Sequence, residues 1–340
     1  MTNLVDLNLA RNQLFNSDAA FLVLQSLQNL KRLSLANNFL NGKLSEAAGN
    51  LTNLEELDLD GNQLTSLPES AGGWTRMKVF TVNNNMLTAL PDSVHAWVDV
   101  EMVGIRDNAV AELPESIEEN AGWSKMKRLM IGGNKFDAIP ACVANMLELV
   151  EFDARKNEIK ELPQYLTNCK KLEHLNMGEN KLSNLPEGYV SQFKDMRELY
   201  LYRNKLDSLP QDIGSLLGLE KLSVSKNNLK NLPESVGDLT ALSELYVNNN
   251  AKFSSLPTSI GRLSQLREMA LRGCPKLKSL PNSVGDLANL KELDIRSGGK
   301  KDVCKMPQDV VEGLEKDRCR VRGAVVKKAK GKKGGKGKKK

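Results

Sequence analysis

The chain has 340 residues and a net charge of +6, from 48 Lys and Arg against 42 Asp and Glu, with 40 % hydrophobic and 5 % aromatic residues. Apolar and charged content near globular averages excludes a disordered, collagen-like or disulfide-scaffold chain for the bulk of the sequence. No run of about 18 apolar residues is present to span a membrane as a helix, Met1-Thr2-Asn3-Leu4 lacks the basic and apolar regions of a secretory signal, and five cysteines make no disulfide framework. A single core stops growing near about 250–300 residues, so this length calls for several domains or for repeats.

From the first residues a phrase L-x-x-L-x-L-x-x-N-x-L recurs. It opens at Leu4, Leu7, Leu9, Asn12 and Leu14, returns at Leu30, Leu33, Leu35, Asn38 and Leu40, and again at Leu54, Leu57, Leu59, Asn62 and Leu64. The asparagine column continues through Asn85, Asn108, Asn134, Asn157, Asn180, Asn204, Asn227 and Asn250; Cys274 takes the twelfth slot and Gly298 a degenerate thirteenth. From Asn12 to Cys274 is 262 residues in eleven steps, about 23.8 per copy, inside the 20–29-residue range of leucine-rich repeats, which the phrase resembles.

Each column has a physical role. The L-x-L core predicts a short strand with alternate side chains inward, paired in parallel with its neighbours so that backbone groups are satisfied. The asparagine amide both donates and accepts, so it is suited to satisfying buried turn backbone from copy to copy. Second halves read L-P-x-x-[IV]-x-x-L-x-x-L, as at Leu67-Pro68, Leu113-Pro114, Leu162-Pro163, Leu209-Pro210 and Leu280-Pro281. Proline there predicts short turns and 3₁₀ pieces on the convex side. The expected fold is an α/β solenoid, a leucine-rich-repeat horseshoe of about 13 repeats with a parallel concave sheet.

In chain order the copies then depart from the pattern. Asp18 to Gln28 reads as a true helix with Phe21, Leu24 and Leu27 inward. Trp74, Trp97 and Trp123 fall in one column where other copies carry leucine, which predicts a stacked aromatic layer in the convex core. The fifth copy has extra residues around Glu118-Glu119-Asn120. Copies eleven and twelve gain one residue each, in Asn250-Ala251-Lys252-Phe253 and Cys274-Pro275-Lys276-Leu277. Gln308 to Lys316 predicts a short capping helix with Val310, Val311 and Leu314 inward. The expected divisions are the solenoid at 1–296, a degenerate repeat and cap at 297–326, and a Lys/Gly-rich tail at 327–340, expected to be disordered. The chain opens inside a repeat, so either a truncated reading frame or an exposed first strand is expected.

The phrase L-P-E-S-[IVA]-G-x-L-x-x-L-x-x-L is similar to that of the intracellular Ras-group leucine-rich-repeat proteins, including Ras-pathway scaffolds and their plant relatives. Leu232-Pro233-Glu234-Ser235-Val236-Gly237-Asp238-Leu239 and Leu280-Pro281-Asn282-Ser283-Val284-Gly285-Asp286-Leu287 carry it. Gly273-Cys274-Pro275-Lys276-Leu277 also resembles repeats of plant disease-resistance proteins. The resemblance covers about residues 1–296 and implies non-catalytic protein-binding scaffolds, with a small GTPase or signalling complex as partner.

Catalytic chemistry finds no support. The two histidines, His95 and His174, stand apart from any nucleophile triad. Gly331-Lys332-Lys333-Gly334-Gly335-Lys336 follows no strand and lacks the Ser/Thr of a phosphate loop. The cysteines lack C-x-x-C spacing, and Cys169 and Cys274 fill core and ladder columns. No enzyme activity, cofactor, metal or small-molecule substrate is expected, and the location expected is cytoplasmic. Binding is the stronger expectation. Tyr200, Tyr202 and Tyr246 face the concave side, with Arg203 nearby and Asp153 and Arg155 flanking, and Tyr and Arg are enriched at interface hot spots. A second expected site is the lysine run Lys327, Lys328, Lys330, Lys332, Lys333, Lys336, Lys338, Lys339 and Lys340, suited to a polyanion such as RNA, the acidic tails of tubulin or anionic lipid. Removing those nine lysines leaves residues 1–326 at −3, so the folded body is slightly acidic. The alternatives are a structural component of a ribonucleoprotein or cytoskeletal assembly tethered by that tail, and a fragment of a larger receptor or kinase.

Overall fold

A computed structural model describes residues 3–120, 122–296, 304–316, 319–323 and 325–327. Fourteen three-residue strands, from Asp6–Asn8 to Arg320–Arg322, stack in chain order into one parallel sheet. This is the leucine-rich-repeat solenoid. Registers run straight through it: Leu7 pairs with Leu33, Leu33 with Leu57, and Leu57 with Phe80. The inward residues of each strand therefore meet in a continuous core from Phe21 to Cys319, with Leu4, Leu7, Leu9 and Leu14 half-covered at the Asp6–Asn8 edge.

The convex side holds ten 3₁₀ turns among the described residues. The Leu-Pro pairs explain them. Pro68, Pro91, Pro163, Pro210, Pro233, Pro257 and Pro281 each stand extended immediately before a turn, and the turn closes on the proline carbonyl, as in Ala71 N–H to Pro68 O at 3.1 Å. Trp74, Trp97 and Trp123 are fully buried there. Their rings stack at 5.9 and 6.2 Å between centroids, and each indole N–H reaches back to a carbonyl of the preceding copy, Ala48, Ala71 and Val94.

The ladder works in both directions. Asn180 Nδ2 donates to Ala154 O at 2.9 Å and Met177 O at 3.1 Å, while its Oδ1 accepts from Ile159 N–H at 3.0 Å. At the twelfth copy Cys274 Sγ reaches Val247 O at 3.4 Å. No acceptor is needed there, because the extra residue of copy eleven lets Phe253 N–H bond Asn250 O at 3.1 Å inside its own turn. A second regularity was not visible as a residue pattern. The residue before each of the twelve ladder positions is left-handed, with φ from 51° at Asp107 to 72° at Gly273. The strand must reverse toward the convex side at that point, and glycine fills it only at Gly61, Gly133 and Gly273.

Four expectations change. The first-copy helix covers Ser17–Leu24, capped by Asn16 Oδ1 on Ala19 N–H at 3.0 Å, and stops short of Gln28. At its end Gln25 and Ser26 side chains take the Leu22 and Val23 carbonyls, and Leu27 N–H tightens onto Leu24 O. The fifth copy replaces its 3₁₀ turn by a one-turn α-helix, Ser116–Glu119. The sheet has fourteen strands where about 13 were expected, because Arg320–Arg322 pairs with Glu292–Asp294. Lys327, counted with the disordered tail, instead ends a strand, Val325–Lys327, whose backbone pairs with Lys305–Pro307. The other tail lysines lie outside the described residues, as does Gly298. The helix Gln308–Lys316 forms as expected, with Val310, Val311 and Leu314 buried.

Candidate functional site on the concave face

Strands Glu151–Asp153, His174–Asn176, Glu198–Tyr200, Lys221–Ser223 and Glu244–Tyr246 lie side by side. Their registers place Asp153, Asn176, Tyr200, Ser223 and Tyr246 in one row across the sheet. Neighbouring strands are about 4.8 Å apart, so the Tyr200 and Tyr246 backbones stand about 10 Å apart across Ser223. A row at the strand starts runs Glu151, His174, Glu198, Lys221, Glu244.

The two rows are bonded to each other. Tyr200 OH donates to Glu198 Oε2 at 3.0 Å, and Tyr246 OH to Glu244 Oε2 at 3.0 Å. Burial, then the neighbouring carboxylates, push both phenols well above their ordinary pKa, so both stay neutral donors. Lys221 Nζ bridges Glu198 at 3.2 Å and Glu244 at 3.8 Å. Burial works against ionising Glu198, but Lys221 and Tyr200 outweigh it and hold the carboxyl below its usual range. His174 Nδ1 lies 3.4 Å from Glu198 Oε2. Tyr202, one row further on, lies over Gly178, where no Cβ would fit beneath its ring.

Arg203 sits past the strand in the left-handed turn and pairs with Glu179 at 2.7 Å. Asp153 is 3 % exposed. It receives Arg106 Nη2 at 2.5 Å, Arg155 Nε at 3.6 Å and Arg155 N–H at 3.1 Å. It anchors the two arginines, leaving Arg155 half-exposed. A concave groove of about 350 Å³ joins Arg106, Asp153 and Arg155 to Glu151, His174, Asn176, Glu198 and Tyr200, while Tyr202, Arg203 and Tyr246 are not part of its lining. Arg106, His174, Glu198, Lys221 and Glu244 were not singled out by sequence. The signal was available: the residue two before the tyrosine position shares the face at strand period, and Arg106 stands in the Arg155 column.

The arrangement offers aromatic faces, fixed donors and both signs of charge. Among the described residues, no group of three or more His, Cys, Asp or Glu side chains is placed to hold a metal ion, and no helix is long and apolar enough to cross a membrane.

Residues 177–316 match a family model described as a leucine-rich repeat region, and residues 28–72 match one for two copies of the leucine-rich repeat. No curated protein matches the chain in sequence. Among solved structures it is similar to a leucine-rich-repeat protein of Leptospira interrogans, at 23 % identity over 94 % of this chain and 90 % of that one, with a TM-score of 0.73. An internalin of Listeria monocytogenes superposes with a TM-score of 0.74 at 17 % identity, covering 96 % and 88 % of the two chains. The plant peptide hormone receptor RGFR1, solved in complex with RGF2, gives 0.69 at 19 % identity over 96 % of this chain and 60 % of the receptor. At these identities the likeness is one of fold. The repeat phrase, the two matching segments and the architecture agree on a leucine-rich-repeat solenoid, a fold that is typically a non-catalytic module for protein–protein interaction.

Proposed function

We propose that the chain is a scaffold or adaptor that seats a protein partner on its concave face, centred on Tyr200, Tyr202 and Tyr246 with Arg155 and Arg203 beside them. The carrying observation is the row of two tyrosines on either side of Ser223, each held upright by a glutamate of its own strand. Rings fixed before binding lose little entropy on association, and Tyr and Arg dominate interface hot spots. The similarity of Leu232–Leu239 and Leu280–Leu287 to Ras-group repeats supports a setting in small-GTPase signalling. Five free, buried thiols support a reducing, cytoplasmic one.

Affinity capture with the Y200A/Y202A/Y246A chain tests this. The expected result is loss of the specific partners with the circular dichroism spectrum unchanged; an unchanged set of partners rejects the concave site. The lysine segment supports a second reading, a tether to a polyanion such as RNA, tubulin tails or anionic lipid. Deleting 328–340 is expected to remove salt-sensitive binding, and survival of that binding rejects it.

A further inference from the structure

Beyond the ladder, where the strands have ended, two rows of residues line one edge of the stack on either side of a buried apolar position. In the first row each N–H donates to the carbonyl of that apolar position one copy back: Phe39 to Leu14, Met86 to Leu64, Lys135 to Val110 and Lys205 to Leu182, all at 2.8 Å. In the second row Asn41 Nδ2 donates to Phe15 O at 3.1 Å, Ser254 N–H to Lys230 O at 2.9 Å and Lys305 N–H to Lys278 O at 2.9 Å. From Phe15 to Lys305 is twelve strand steps, about 58 Å at 4.8 Å per step. The two ends of this edge differ. In the first four copies Phe15, Phe39 and Met86 are each more than half exposed, whereas the other six phenylalanines of the chain are buried. From the sixth copy on the rows carry lysine. Three acids stand among them, and a lysine of the same rows matches each: Lys160 with Asp137 at 3.7 Å, Lys181 with Glu158 at 2.8 Å and Lys252 with Asp207 at 3.7 Å. Lys135, Lys205, Lys230, Lys276 and Lys305 are exposed and, among the described residues, in no ion pair. This edge is therefore positive on a body, residues 1–326, whose net charge is −3.

We infer that this edge rests on an anionic phospholipid bilayer, with Phe15, Phe39 and Met86 in the interfacial layer and the five lysines over acidic headgroups. The strand ends of a curved stack lie on its flat side, so residues of one row meet a plane along their length. The exposed phenyl rings and the Met86 side chain leave water when they enter the boundary between headgroups and acyl chains. Each lysine at an anionic surface adds about fivefold in partitioning, and stable peripheral binding takes an apolar contact together with such a basic patch. A single-stranded nucleic acid fits the arrangement less well. Its sites place aromatic rings along the same groove as the positive charges, whereas here Phe39 and Lys135 stand four steps apart, about 19 Å.

Co-sedimentation of the full chain with vesicles of phosphatidylcholine, alone or equimolar with phosphatidylserine, tests this. Binding to the mixed vesicles and none to phosphatidylcholine alone is expected. The K135Q/K205Q/K230Q/K276Q variant is expected to bind at least about tenfold more weakly, and F15S/F39S at least about threefold more weakly, both with unchanged melting temperatures. The lysine-rich segment 328–340 is present in every variant, so these losses report on the edge. In the F39W chain, brominated phospholipid in the mixed vesicles is expected to quench fluorescence that it leaves untouched in the original chain, whose three tryptophans are fully buried. A quadruple variant that binds as tightly as the original, an F39W chain that brominated lipid does not quench, or an original chain that binds single-stranded RNA but not the mixed vesicles overturns the inference. The concave tyrosines are intact in every variant, so failure here leaves the capture of a protein partner untouched.

Discussion

Replacing Asn180 with alanine is expected to cost far more than replacing Cys274, although both occupy the same ladder column. Asn180 is 7 % exposed and Cys274 is 4 % exposed, so burial does not separate them. Hydrogen-bond accounting does. The carbonyls that Asn180 serves keep other donors: Ala154 O retains Asn157 Nδ2 at 3.0 Å and Met177 O retains Asn204 Nδ2 at 2.8 Å. Ile159 N–H, however, loses its acceptor, and a buried unsatisfied donor costs about 1–3 kcal/mol. With the lost donor bonds the expected total is about 2–3 kcal/mol. Cys274→Ala removes one weak thiol contact to Val247 O, which retains Asn250 Nδ2 at 2.8 Å. It orphans no N–H, because Phe253 is served within its own turn, so about 1 kcal/mol or less is expected. Urea unfolding followed by far-ultraviolet circular dichroism gives both values from the shift in midpoint. Equal losses, or a larger loss at Cys274, would refute the claim that the inserted residue frees this slot from asparagine.

Three further outcomes are expected. Trp97→Ala removes a ring stacked between Trp74 and Trp123 and the indole bond to Ala71 O, which keeps Trp74 N–H at 3.1 Å; a loss of about 3–5 kcal/mol is expected in the same urea assay, and one below 1 kcal/mol would mean that the layer repacks around the gap. Gly133→Ala places a Cβ at φ 69° against the Asp107 carboxylate, so the melting temperature should fall by an amount equivalent to about 1–2 kcal/mol, whereas Lys226→Gly in the same column should not lower it. Burial pushes the thiols of Cys142 up to about 12 and of Cys169, Cys304 and Cys319 up to about 11, from an ordinary value of 9.0. The folded chain then holds protons that the unfolded chain releases above pH 9, so stability present below pH 9 is lost as pH rises through 11 to 12. A urea midpoint that stays flat from pH 8 to 10.5 would contradict this.

The repeat was legible because it is local: leucines at strand period, an asparagine at the turn and a proline opening the convex segment decide each copy within about 24 residues. The tryptophan layer was legible for the same reason, since a column in sequence becomes a stack in space. So was the helix Gln308–Lys316, whose three apolar residues share one face. The fourteenth strand was not, because Arg320-Val321-Arg322 carries one inward residue and is defined by pairing with Glu292–Asp294. Lys327 likewise reads as tail by composition and becomes strand by pairing with Pro307.

At the candidate site, sequence placed Tyr200, Tyr202, Tyr246, Asp153 and Arg155 on one face, because strand period alone settles which way a side chain points. It did not reveal that Asp153 lies beneath Arg106, which arrives from two copies earlier, or that both tyrosines are tied to glutamates in an adjacent row. Those facts depend on side-chain reach across neighbouring strands, which a period does not encode.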